Sequence, residues 1–300
     1  MSSLIEFRTE DGTLLRGNFY RQDTASPQPV IVMAHGFSGL RSALNAYAEG
    51  FYKAGFNVVL FDNRGFGDSE GVRQHIDPHQ QVADFRDAIT FAQTLAGVDP
   101  ERVGIWGSSY AGGHVIVIGA NDRRVTAVVS QIPFVSGHAN VPLLYSPDKY
   151  AELRRLFVEE RRSIASGNPP RMMPVFSTST AELCALPPVV TEKFIKASAD
   201  VPGWKNEVTI RSVEFFGEYE PGNLAPLVSP TPLLMVIGAK DVVNPPELSL
   251  RVFESALEPK KVVIHPGGHF QTYTKHFDIT FGAALDWFKT HLHTPPTKKK

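Results

Sequence analysis

The stretch 102–113, R-V-G-I-W-G-S-S-Y-A-G-G, limits what this chain can fold into more than any other part of it. A short apolar run ends at Trp106, a Gly-x-Ser-x-small turn follows at 107–111, and a helix is expected to begin near Tyr110. This is the sequence form of a nucleophile elbow, in which a strand turns sharply into a helix and exposes one side chain at the bend. The residue at the bend has strained backbone geometry, and its neighbours two positions to either side nearly touch, so both must be small. Gly107 and Ala111 meet that demand around Ser109. Centring the turn on Ser108 would instead place Trp106 and Tyr110 where only small groups fit. Ser109 is therefore the expected exposed hydroxyl.

An elbow needs a strand layer and a helix layer, and the chain has the length and apolar content to build them. Its 300 residues are 42% apolar, enough for one large domain or one domain with an insertion. Thirty basic and 31 acidic side chains nearly cancel, so no overall field favours nucleic acid or an anionic membrane. Cys184 is the one cysteine, which excludes an internal disulfide and a Cys-rich metal site and suits a reducing, cytoplasmic compartment. The N-terminus lacks a basic-then-apolar leader, and no run approaches membrane-spanning length, so a soluble, untargeted protein is expected.

Segments 4–9 and 13–20 alternate in polarity and meet at Asp11-Gly12, a dipeptide suited to a tight hairpin, and read as an antiparallel edge. Run 29–34 is continuously apolar, as a strand covered on both faces should be, and 56–61, 103–106 and 125–130 read as further strands. Helical patterns fall between them, at 43–54 and at 82–95. Strands alternating with helices predict a parallel sheet. From about 133 to 230 the alternation stops in a Pro-rich and aromatic stretch, with helical segments near 149–166 and 190–199. So long an interruption is expected to be an inserted, mainly helical lid rather than a loop. Regularity returns with strand 232–238, helix 246–257, strand 261–265 and helix 277–291, giving a sheet of about eight strands with helices on both faces. The expected division is a core in two parts, 1–132 and 231–293, the lid between them, and a basic tail at 294–300.

A serine hydroxyl is a weak nucleophile and needs a base within hydrogen-bond reach and an acid to orient that base. In open parallel sheets such groups gather at the carboxyl ends of strands. Asp62 and Asp241 follow strand ends, as do His35 and His269. Asp241 comes just after strand 233–238, and His269 follows Gly267-Gly268, which allow the loop to bend over the sheet. The order Ser109, Asp241, His269 is one of the known orders for a serine triad.

These residues, with the His35-Gly36 turn and the segment D-N-R-G-F-G-D-S at 62–69, resemble the α/β-hydrolase superfamily in sequence order and spacing throughout the chain except the insertion. The resemblance implies that Ser109 is the nucleophile, His269 the general base and acid, and Asp241 the carboxylate that holds His269. It implies an oxyanion hole made by the backbone N–H groups of Phe37 and Tyr110. Ala111 departs from the usual glycine of the elbow. The Ser-Tyr pair followed by Gly112-Gly113 is similar to hydrolases of the dipeptidyl-peptidase and cocaine-esterase kind, and the whole run resembles fungal polyketide-tailoring hydrolases and polyketide transferases.

Within that resemblance His35 is expected to tie its loop together, and Asp62 to satisfy loop N–H groups with Arg64 as its partner. His265 and His276 lack flanking glycines, and His75, His79 and His138 lack metal-like spacing. No phosphate-binding loop is present. Phe215, Phe216 and Tyr219 are the candidates for an apolar substrate pocket. The expectation is a cofactor-free and metal-free serine hydrolase acting on a small-molecule ester, thioester or lactone, with no nucleic-acid or membrane partner; oligomeric state is not legible, and a homodimer is compatible with it. Three rivals stand beside it: acyl transfer to a non-water acceptor, a ligand-binding protein on a vestigial site, and C–C bond cleavage by the same groups.

Overall fold

The mostly apolar runs form strands buried on both faces, and the order in which they pair decides where the site lies. In a computed structural model, which describes residues 2–179, 181–187 and 192–293, the chain begins with β1 (Ser2–Arg8) and β2 (Leu14–Tyr20), an antiparallel pair. It continues through β3 (Gln28–Ala34), α1 (Asn45–Lys53), β4 (Asn57–Phe61), α2 (Pro78–Thr94), β5 (Val98–Ser108), α3 (Tyr110–Asn121) and β6 (Val125–Gln131). Between β6 and the next sheet strand come α4 (Gly137–Leu144), α5 (Pro147–Ala165), the short pair β7 (Met172–Met173) and β8 (Val208–Thr209), α6 (Glu192–Ala199) and α7 (Ile210–Glu218). The chain returns through β9 (Leu233–Gly238), α8 (Pro246–Ser255), β10 (Lys260–His265) and α9 (Phe277–Leu292). The sheet has eight strands in the order β1-β2-β4-β3-β5-β6-β9-β10. β2 pairs antiparallel with β4, and every pairing from β4 to β10 is parallel.

Parallel strands must be covered on both sides, and they are. Val30, Val32, Ile105 and Val128 face α2 and α3 residues such as Phe85, Ile89 and Val115. Ile31, Met33, Trp106 and Val129 face Phe51 of α1 and Phe288 of α9 on the other side. Helix starts follow the chemistry of their caps: Asp77 accepts from the N–H groups of His79 and Gln80 ahead of α2, with Pro78 in the first turn. The helix expected from residue 190 is described from Glu192, and Val190 and the tail 294–300 lie outside the described residues. The last part of the expected insertion, the 3-10 segment Pro221–Leu227, packs on α3 and α8.

Above the sheet the intervening elements build a third apolar cluster around Tyr110, Phe134, Phe216 and Tyr219. His114 of α3 lies beneath it, 1% exposed, between Gln81 Oε1 and the Tyr219 hydroxyl, each at 3.0 Å. Because Gln81 Oε1 can only accept, His114 Nε2 carries the proton and Nδ1 accepts from Tyr219. Burial, and then the neighbouring His35 and His79, lower its pKa from 6.5 to about 3. The native state thus keeps His114 neutral while the unfolded chain takes up a proton below pH 6.5. Stability is expected to fall as pH drops from 6.5 towards 3, with this group contributing up to about 1.4 kcal/mol per pH unit. Urea unfolding across that window checks the slope, and His114→Phe should make it shallower by about one proton.

Candidate active site

At the end of β5 the chain makes the bend that its small residues foretell. Ser109 has φ 60° and ψ −119°, and it is held there by its own backbone groups. Its N–H donates to Gln131 O at 2.9 Å, and its carbonyl accepts from Gly112 N and Phe134 N, both at 2.9 Å. A Cβ on Gly107 would lie 2.1 Å from Ala111 O, so only glycine fits there, whereas the methyl of Ala111 is accommodated in full burial.

Asp241 follows β9 and His269 follows β10, and the parallel pairing of these strands brings both loops beside the elbow. His269 Nε2 lies 3.0 Å from Ser109 Oγ, and Nδ1 lies 2.7 Å from Asp241 Oδ2. The other Asp241 oxygen accepts from Val243 N at 2.9 Å and Asn244 N at 2.8 Å. The carboxylate is therefore anchored on one side and free to accept from the imidazole on the other, which places the Nδ1 proton between them. Ser109 is half-buried, while His269 and Asp241 are buried. Such a line can pass the serine proton to the imidazole while the carboxylate stabilises the resulting cation.

Two peptide units, 36–37 and 109–110, lie beside this hydroxyl. Gly36 O accepts from His35 Nδ1 at 3.0 Å and Gly39 N at 3.2 Å. In a planar trans peptide the next N–H points opposite to the carbonyl, so Phe37 N–H is directed away from His35. The same holds for Tyr110 N–H, because Ser109 O is taken up by two donors. The two turns touch: a Cβ on Gly36 would lie 2.9 Å from Ser109 Cβ and 3.2 Å from Tyr110 N. His35 has the structural place expected of it, with Nε2 accepting from Asn63 N at 3.1 Å. Burial lowers its pKa, which keeps that nitrogen free to accept.

Two other expectations need correction. Asp62 is not partnered by Arg64. Arg41 supplies both its backbone N–H, at 2.8 Å, and its guanidinium to Asp62. Arg64 turns instead to Asp84, at 2.7 Å from Nε, and to Asp11. Phe215, Phe216 and Tyr219 do not line the cavity over Ser109. Phe216 stands behind Phe37 and packs on Phe134 with ring centroids 4.3 Å apart. Tyr219 is bonded to His114, and Phe215 lies under the Arg211 guanidinium, 4.5 Å from its ring centre. The helix α7 turns Phe216 inward and leaves Phe215 half-buried at its edge, and composition alone does not tell an inward aromatic from a cavity wall.

The cavity that does contain Ser109 and His269 has a volume of about 290 Å³. Its core-side walls are Phe37, Leu40, Phe270 and Tyr273, and the intervening elements add Phe176, Leu186, Val201 and Trp204. Phe270 went unnamed, though its place directly after the histidine could have marked it, and nothing in the sequence singles out Phe176 or Trp204. A second cavity of about 250 Å³ surrounds Arg41, Asp62 and Asp68, and neither Ser109 nor His269 lines it. Among the described residues no group of three or more His, Cys, Asp or Glu side chains could hold a metal ion, and no helix is long and apolar enough to cross a membrane.

An eight-stranded, mostly parallel sheet with Ser, Asp and His at three strand ends defines the α/β-hydrolase class. Residues 11–156 match the X-Pro dipeptidyl-peptidase (S15) family, and residues 190–277 match the serine hydrolase (FSH1) family. The quorum-quenching protein AidA of Acinetobacter baumannii is 34% identical over 274 residues, covering 90% of this chain and 89% of that protein. Thiohydrolase aneE of Aspergillus aculeatus is 31% identical, covering 95% and 89%. The crystal structure of the α/β-hydrolase GrgF from a Penicillium species superposes with a TM-score of 0.85 at 26% identity, covering 98% of this chain and all of that one. The chain belongs to the serine hydrolases of the α/β-hydrolase fold.

Gly36→Ala tests the fit of the two turns. The added methyl would meet Ser108 O at 2.8 Å and Ser109 Cβ at 2.9 Å, so the 36–37 turn must shift. Esterase turnover is expected to fall about a hundredfold, with an unchanged circular dichroism spectrum.

Proposed function

We propose that this enzyme cleaves the thioester or ester of an apolar, polyketide-type acyl chain through an acyl-Ser109 intermediate. The observation that carries the proposal is the Ser109–His269–Asp241 line, with contacts of 3.0 and 2.7 Å, opening into an aromatic-walled cavity. His269 Nε2 takes the Ser109 proton as Oγ attacks the carbonyl carbon. The oxyanion is held by the N–H groups of Phe37 and Tyr110, each commonly worth about 3 kcal/mol. The intermediate collapses as His269 returns the proton to the departing thiolate or alkoxide. Water, deprotonated by the same imidazole, then releases the acid and restores Ser109.

The thioester comes from relatives named thiohydrolase, and the polyketide-type chain from relatives named polyketide transferase. The wall chemistry agrees with an uncharged acyl group, since among the described residues no Lys, Arg, Asp or Glu lines the cavity. A lid role for the elements between β6 and β9 is part of this reading, supported by the side chains of Phe176 and Trp204 over the site. A small-molecule substrate, no nucleic-acid or membrane partner and a cytoplasmic setting belong to it too, supported by the balanced charge and the single, buried cysteine.

Aryl esters and acyl thioesters of increasing chain length, assayed with wild type and Ser109→Ala, provide the test. Turnover should be lost by at least about ten-thousandfold in the variant. Wild type should be labelled at Ser109 by a fluorophosphonate. Retained labelling in Ser109→Ala, or none in wild type, would overturn the proposal. Product mass spectra with an alcohol or amine acceptor present separate hydrolysis from transfer.

A further inference from the structure

His269 immediately precedes the 3-10 turn Phe270–Tyr273, so whatever fixes that turn fixes the imidazole. Among the bonds that fasten it are three that reach beyond the loop of His269. Thr272 Oγ1 lies 2.9 Å from His265 Nε2, the Tyr47 hydroxyl donates to Thr272 O at 3.3 Å, and Tyr273 Oη lies 2.7 Å from Ser108 Oγ. The last ends on the residue bonded to Ser109 itself. Ser108 is 1% exposed and accepts from Gln131 Nε2 at 3.3 Å. The same amide group donates to Tyr47 Oη at 3.2 Å, which closes a ring of polar contacts from the turn through Ser108, Gln131 and Tyr47 back to the turn. Gln131 also accepts the Ser109 N–H through its backbone carbonyl at 2.9 Å. Asp241 holds the imidazole at Nδ1 alone, so the direction of Nε2 depends on where the turn sets the ring.

We propose that the Tyr273–Ser108 hydroxyl pair is a positioning clasp that sets the reach of His269 Nε2 to Ser109 Oγ. Neither hydroxyl exchanges a proton with the substrate; both act through the two residues they hold. The inference rests on the acyl-Ser109 reading above. Burial raises the Tyr273 pKa, which keeps the phenol protonated and the clasp closed.

The test is the rate of fluorophosphonate inactivation of wild type, Tyr273→Phe, Ser108→Ala and the double variant, resolved into the maximal rate and the half-saturating concentration. Tyr273→Phe keeps the ring as a cavity wall and removes only the bond. Each single variant should lose about tenfold or more in maximal rate, as small misplacements of reacting groups do. Half-saturation should stay within about twofold of wild type, and the double variant should be no worse than the singles to within about twofold, the mark of one shared interaction. Unchanged maximal rates, a loss confined to half-saturation, or losses that multiply in the double variant would each overturn the clasp. Should Tyr273→Phe not fold by circular dichroism, Ser108→Ala decides alone. A wild type that does not react removes the hydrolase reading, whereas a reactive wild type with equally reactive variants removes the clasp only.

Discussion

The backbone of Ser109 is the constraint on which the rest depends. Its φ of 60° and ψ of −119° lie where a residue with a side chain is strained, at a cost of order 1–3 kcal/mol. The cost is met because all its backbone polar groups are engaged, by Gln131 O, Gly112 N and Phe134 N. Two of those partners come from the far end of β6 and the segment beyond it, so the bend exists only when β5 and β6 are paired. Burial of the sheet, and not local preference, therefore creates the exposed hydroxyl.

The same carbonyl shows how scaffold and site coincide. Ser109 O, by taking two donors, turns Tyr110 N–H the opposite way, and Gly36 O does the same for Phe37 N–H. Neither direction needs the side chain of the residue that bears the N–H. Phe37 and Tyr110 can thus spend their rings on other work. They meet edge to face with centroids 5.6 Å apart, and both rest on Phe216. The Tyr110 hydroxyl is buried in that apolar cluster with no hydrogen-bond partner among the described residues, and burial keeps it firmly protonated. Its ring does not line the cavity, so it stands as packing.

What could be read from the sequence follows from which constraints are local. The strands were legible because a parallel strand must be apolar on both faces, as Val30 to Ala34 is. Ser109 was legible because Gly107 and Ala111 leave room for only one register of the turn, and Asp241 and His269 because strand ends are few. Arg41 was not legible as the partner of Asp62, because it reaches that carboxylate from a 3-10 turn 21 residues earlier in the chain. The cavity walls were hidden for a related reason. Phe216 and Trp204 are both aromatic residues in the same irregular stretch, yet one supports the floor and the other forms the wall. Only the packing direction of each helix or turn separates them.

The division of the wall has a consequence for selectivity. Phe37, Leu40, Phe270 and Tyr273 belong to the loops that also carry the reacting groups, and Tyr273 is bonded to Ser108. A change there alters chemistry and fit together. Phe176, Leu186, Val201 and Trp204 lie between β6 and β9 and share no hydrogen bond with Ser109, His269 or Asp241. Their volumes set how much of an acyl chain the cavity can enclose, at roughly 0.8 kcal/mol per buried methylene. In the proposed reaction one half of the wall therefore governs acyl length, and the other the geometry of proton transfer.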